Sequence, residues 1–362
     1  MGTIRLLLAI SVVVAHSNPI FGQRLWEGEI AVELFFIISG FYMALILNEK
    51  YNTFDKTVVF YKNRFLKLFP IYWSILVLTF LLFTVIYLIL NKGGILEHII
   101  NNLGNLGFFS VYVLFSNIFL IGEDLLMFLG FNGDSIVFTK SFSDTQVPFH
   151  KFIIVPQSWT LSLEIMFYLI APFIARRNIK LLMSLFFISI FIKIGLWNIG
   201  FINDPWSYRF ILSELSFFFI GMIMYKVYKL GYYTKIIENK NLFFLGLISF
   251  ILSGYFYYDF KTILNFNGID TFKYMIYLLF VLFLPILFVQ TKNNKIDRYI
   301  GELSYPVYIV HIFVIMIVSK IVNDTNLSLL VILGSVLFSM LLNKFIQEKI
   351  EKIRINNLKE KN

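Results

Sequence analysis

Apolar positions along this 362-residue chain come in long blocks, and the blocks are apolar on every side rather than along one stripe. "IYWSILVLTFLLFTVIYLIL" (71–90) carries no charge over the ~20 residues that a helix needs to cross a bilayer. The same pattern predicts spans at 5–22, 29–47, 68–90, 158–175, 179–198, 210–225, 242–258, 274–290, 304–320 and 326–344. An eleventh apolar stretch, 107–129, is interrupted by Asn117, Glu123 and Asp124. No long polar linker, low-complexity segment or internal repeat divides the chain. The expected fold is all-α: a polytopic membrane helix bundle of about ten transmembrane helices, one transmembrane domain over 1–346 with a basic cytoplasmic tail at 347–362.

Basic residues decide the orientation, because Lys and Arg collect in cytoplasmic loops. With 107–129 left uncrossed and both termini cytoplasmic, most of the 31 Lys and Arg fall inside. Letting 107–129 cross reverses everything after it and puts most of them outside. The stretch is therefore expected to be a re-entrant or interfacial segment on the outer side. Such backbone is tolerated at membrane depth only where it packs on protein or lines a wet cavity.

Composition agrees: 58% of residues are hydrophobic and 15% charged, against roughly 25% charged in soluble domains. The net charge of +9 reflects loop topology, so no nucleic-acid partner is expected. The absence of Cys excludes thiol catalysis, disulfides and thiolate metal sites. The start, "MGTIRLLLAISVVVAHS", has a signal-peptide outline but reads as a retained first span, since another apolar block follows at once. His16, His98, His150 and His311 lack close ligand spacing, so no metal and no bound cofactor are expected.

Candidate chemistry begins with "RLLLAISVVVAH". Arg5 and His16 are eleven residues apart, three helical turns plus about 20°, so they share a face and stand about 16 Å apart along the axis. Arg5 alone reads as a topology signal. A histidine inside a span is costly and usually faces a bundle interior or wet cavity. Glu33 in "EIAVELFFIISGF" and Glu164 in "QSWTLSLEIMFYLI" lie near the outer ends of their spans, where a carboxylate could orient an imidazole base. Glu214 could join them, and Lys193 could simply snorkel. Arg64 and Lys67, in "NRFLKLFPIYW", read either as cytoplasmic loop charge or as cations that grip phosphates. "IGELSYPVYIVHIF" places Ser304, Tyr305, Tyr308 and His311 on a late span, where they either line a channel or bond between helices.

Taken together, these stretches resemble the acyltransferase 3 family of integral membrane acyltransferases. The resemblance rests on Arg5 with ten residues before His16, "VELFFIISGF", "NRFLKLFPIYW", "SWTLSLEIMFYL", "FFFIGM" and "LSYPVYIVH". It implies ten core helices and acyl transfer from cytoplasmic acyl-CoA, commonly acetyl-CoA, to a sugar hydroxyl beyond a bacterial plasma membrane. The family's essential arginine and histidine fall on Arg5 and His16, its acidic position on Glu33, and its tryptophan–serine–glutamate motif on Trp159, Ser162 and Glu164. Two departures stand out. The second arginine of the post-helix pair is Lys67, which lacks the bidentate fork, and a second acidic position is Ile165. No fused extracytoplasmic domain is expected after the last span.

The expected mechanism gives catalysis to His16, Glu33 and Arg5. Acyl-donor binding goes to Arg5, Arg64, Lys67, Tyr305 and His311, and acceptor binding to Trp159, Glu164 and Arg209. Acyl-CoA is a co-substrate rather than a resident cofactor, and a glycan or lipid-linked glycan is the other partner. Direct transfer and an acyl-histidine route both fit. The rival from another class is a glycan transporter or flippase, which would leave its cargo chemically unaltered.

Overall fold

The computed structural model describes every residue except 91–93, 134, 143, 232–233, 267–268, 323–326 and 360–362. Its α-helices are α1 (Gly2–Ala15), α2 (Gly28–Glu49), α3 (Thr57–Leu90), α4 (Gly94–Leu106), α5 (Phe109–Phe119), α6 (Trp159–Ile174), α7 (Ile179–Asn198) and α8 (Ile211–Leu230). They continue with α9 (Thr234–Ile237), α10 (Lys240–Tyr255), α11 (Tyr257–Ile263), α12 (Thr271–Thr291), α13 (Lys295–Ile321), α14 (Leu327–Leu342) and α15 (Glu348–Lys359). Among the described residues, seven helical segments are long and apolar enough to cross a membrane, or eight if α10 and α11, bent 70° apart, form one span. This is a multi-pass membrane protein.

Several boundaries differ from the sequence expectation. The first span, expected over 5–22, ends at Ala15, and its 14 residues reach only about 21 Å. Pro19 disfavours helical backbone at Asn18, so His16 becomes the C-cap of α1 and is exposed rather than buried within a span. The third span, expected from 68, begins at Thr57 and runs on through Pro70. Arg64 and Lys67 are therefore helical residues, not loop charges. The stretch 107–129 is not one helix: α5 stops at Leu120, whose φ is +60°, and Gly122 is also left-handed. A 3-10 turn over Glu123–Phe128 and a small antiparallel sheet follow. In that sheet β1 (Leu129–Asn132) lies between β2 (Ser135–Phe138) and β3 (Val147–Pro148), with Leu129 opposite Phe138 and Gly130 opposite Pro148.

The chain divides into two compact units: 1–57, 171–186 and 217–349, and 58–170, 187–216 and 350–362. In the first unit α1 packs most extensively on α13, and α13 on α14. Lipid is as apolar as leucine, so helices associate where small residues allow close backbone approach. Gly40 of α2 sits against the Phe218 backbone of α8, and Gly221 against the Ile37 carbonyl, leaving no room for a Cβ on either. Local chemistry sets the helix starts. Asn294 accepts from the Ile296 and Asp297 N–H groups at 2.9 and 3.1 Å, and Asp270 from the Lys273 N–H at 3.0 Å. Asp297 in turn accepts from the Gly2 and Thr3 N–H groups, at 2.7 and 2.8 Å, and so caps the first turn of α1.

In the second unit the start of α3 is tied to α15. Asn357 accepts from Lys62 Nζ at 3.0 Å and donates to Asn63 at 3.0 Å, while Asn63 donates to the Arg354 carbonyl at 3.2 Å. Tyr72 and Trp73, one and a half turns beyond Lys67 on the same helix, donate to the carbonyls of Asn117 and Ile118. These bonds hold the irregular end of α5 against α3.

Candidate active site

The first unit holds two imidazoles side by side. His16 sits at the C-terminal end of α1 and His311 in the middle of α13, with ring centroids 5.1 Å apart and tilted by 53°. Each Nδ1 lies against a carbonyl one turn back on its own helix: Val12 for His16 at 2.9 Å, Tyr308 for His311 at 2.5 Å. A carbonyl only accepts, so both Nδ1 atoms carry a proton. His311 is 0% exposed, and its Nε2 has no hydrogen-bond partner among the described residues. Tyr308 lies 5.8 Å from His311 and 6.3 Å from Phe35, centroid to centroid. The Ser17 hydroxyl donates to the Val13 carbonyl at 2.8 Å and lies 2.9 Å from that of Ser328, which anchors the chain leaving His16.

Arg5, three turns before His16, places its guanidinium beside Gly301 of α13 and within electrostatic range of Tyr42 of α2. Tyr305 is half-buried one turn before Tyr308. Glu33 is fully buried on α2. Tyr277 of α12 donates to it, and Lys273 stands 3.5 Å away while also pairing with Glu29. Both Glu33 and Lys273 lie within two turns of the start of their helices, a signal the sequence carried without declaring the pair.

The second unit gathers the other expected residues. Arg209 grips Asp204 with two nitrogens, at 2.6 and 3.0 Å, and lies over the rings of Trp159 (4.2 Å), Tyr208 (4.5 Å) and Phe142 (5.3 Å). Trp159 and Tyr208 meet edge to face at 5.5 Å. The structure thus joins Trp159 and Arg209, fifty residues apart in sequence, into one aromatic platform. Glu164 accepts from Tyr168 at 3.0 Å, and Arg64 lies 5.9 Å above the Tyr168 ring. Lys67 follows Arg64 by one turn and is half-buried.

Two buried clusters were missed. Glu123 and Asp124, expected only to interrupt an apolar stretch, are 0% and 3% exposed. Ser158 donates to Glu123 at 2.5 Å and Ser162 to Asp124 at 2.7 Å. Burial raises both carboxyls, Glu123 well above the usual carboxylate range. The serine of the tryptophan–serine–glutamate motif therefore binds an acid from an irregular segment, a contact that no local spacing announces. Lys193 does not snorkel: it is buried and pairs with Glu214 at 3.1 Å. Lys193 lies in the last two turns of α7 and Glu214 in the first turn of α8, the next helix, a proximity in sequence that could have suggested the pair. Nearby, His150 packs on Phe142 at 4.6 Å, and its pKa is lowered to about 4 by burial and by Lys151, Arg209 and His98.

A membrane helix bundle carrying a carbonyl-oriented imidazole pair and a separate cation–aromatic platform has the parts of a group-transfer enzyme. The chain belongs to the acyltransferase 3 family, whose acyltransferase domain matches residues 2–344. An uncharacterized protein of Aquifex aeolicus (strain VF5) is 27% identical over 212 residues, covering 56% of this chain and 90% of that one. No solved structure matches the chain.

Proposed function

We propose that this acyltransferase moves an acyl group, in the first instance acetyl, from acyl-CoA to a hydroxyl of a surface glycan or its lipid-linked precursor at a bacterial plasma membrane. His16 is the base. Its Nδ1–H is held by Val12, so Nε2 takes the hydroxyl proton as the sugar oxygen bonds to the thioester carbonyl carbon. The carbon–sulfur bond breaks, and the departing CoA sulfur recovers the proton from His16. Arg5, on the same helix face, steers the donor past Tyr305, and Arg64 and Lys67 take its phosphates as point charges and donors. Glu33, clamped by Tyr277 and Lys273, is the acidic member of the catalytic group.

Acceptor binding falls to Trp159 and Arg209, with Glu164 five residues beyond Trp159 on the same helix. A sugar ring presents C–H groups to an aromatic face, and Arg209 is locked to Asp204, so the platform suits a neutral ring. The observation that carries the reading is the imidazole of His16 at an exposed helix end, its Nδ1–H held by the Val12 carbonyl. Mass spectrometry of the surface glycan, with and without the gene, tests it. Loss of one acyl mass unit per modified residue is expected, and the size of the unit names the acyl group. A glycan that is displaced across the membrane but chemically identical in both strains would overturn the proposal in favour of transport.

A further inference from the structure

A buried hydrogen-bond acceptor with no donor is costly, of the order of 1–3 kcal/mol, and native structures rarely keep one without use. The His311 Nε2 is such an atom. It is enclosed on α13, the Nδ1–H of its ring is held by the Tyr308 carbonyl, and the neighbouring ring is His16. The full burial of His311 speaks against the expected contact with so large a molecule as the acyl donor.

From this geometry we infer that His311 is a positioning residue acting through His16: its Nε2 lone pair accepts charge from the His16 ring when that ring is protonated. The inference rests on the proposed acyl transfer and deepens it. In the resting pair the His311 Nδ1–H is held by Tyr308 and its Nε2 lone pair has no partner among the described residues. When the acceptor hydroxyl gives its proton to His16, that ring becomes an imidazolium with polarised N–H and C–H edges. The His311 ring lies 5.1 Å from that imidazolium, centroid to centroid, close enough for its unpartnered lone pair to stabilise the charge. The oxygen–hydrogen bond has broken and the oxygen–carbon bond has formed. The proton stays on the pair until the CoA sulfur takes it, and the rings return to their starting state. A second proton is excluded, because two imidazolium rings in contact would repel. In a hydrolase triad a carboxylate performs this service; here a neutral imidazole does it without placing a permanent negative charge in the bundle.

Substitution of His311 by Gln, Asn and Leu separates the possibilities. Gln can present a carbonyl oxygen near the Nε2 position, Asn is too short to do so, and Leu has no acceptor. Transfer from acetyl-CoA to the host's own surface glycan is measured in membranes. Kcat and both KM values are read for proteins that elute as single species in detergent. His311→Gln should stay within about threefold of wild type in kcat. His311→Asn and His311→Leu should lose about ten- to a hundredfold in kcat, the worth of a hydrogen bond to a charged group, with both KM values unchanged. If Leu fails to accumulate, the Gln–Asn contrast decides alone. Wild-type kcat in the Asn variant, equal losses in Gln and Asn, or a loss confined to the KM for acetyl-CoA would each overturn the inference. The acyl-transfer reading fails on a separate result: no CoA release by wild type, or full activity in His16→Ala.

Discussion

The imidazole pair of the first unit and the Trp159–Arg209 stack of the second are both built from nitrogen-rich side chains on aromatic surroundings, yet they handle charge in opposite ways. Arg209 has its charge met in place by Asp204 and its faces covered by three rings. Nothing about it needs to change during a reaction, and it offers a fixed surface. His16 and His311 each set Nδ1 against a carbonyl of its own helix, and the buried Nε2 of His311 has no partner among the described residues. Satisfied groups recognise by shape, whereas a group left one proton short does chemistry.

The sharpest way to break that contrast is His16→Ala. Removing a positioned base should cut acyl transfer by about 10²–10⁴-fold. Glycan mass spectrometry reads the loss, and immunoblotting of membranes shows the protein still in place. Arg64 tests the boundary of the contrast, because its Nε is buried with no partner among the described residues. Arg64→Ala should raise the KM for acyl-CoA by about ten- to a hundredfold and leave kcat nearly unchanged. A loss in kcat alone would remove it from the phosphate-binding role.

Trp159→Ala should weaken the platform by about 0.5–1.5 kcal/mol, a few-fold to tenfold rise in the acceptor KM with the donor KM unaltered. The smallest effect concerns stability. His150 is held neutral in the folded chain down to about pH 4, while the unfolded chain takes a proton near 6.5. The unfolded state therefore binds more protons between those values, and stability falls as pH drops from 6.5 toward 4. His150→Gln should flatten this part of a melting-temperature profile in detergent. A profile identical to wild type between pH 6.5 and 4 would show that another group dominates there.

The apolar blocks made most of the membrane-spanning segments legible without a structure, because a continuous run of uncharged residues has one inexpensive solution in lipid. Helix ends were less legible: the helix capped by Asn294 begins at Lys295, nine residues before the expected 304, and the one capped by Asp270 begins at Thr271, three before the expected 274. They were also misjudged at α1 and α3. The apolar pattern continues past Ala15, but the chain before Pro19 cannot stay helical. Before residue 68 the polar pattern hides a helix that tertiary bonds from Asn357 and Arg354 support. Arg5 and His16 were linked by their spacing alone. That His16 would meet His311, and Trp159 meet Arg209, required the packing of helices far apart in the chain.

The sequence by itself determined the solvent of this protein, the helical class that solvent imposes, and the short list of residues costly enough to need a purpose. Tertiary structure decided which of those residues meet, since two side chains hundreds of positions apart share no local signal until helix faces dock. It also decided their chemical state. A carbonyl one turn back puts a proton on Nδ1 of each imidazole, and burial leaves the Nε2 of His311 with no partner among the described residues.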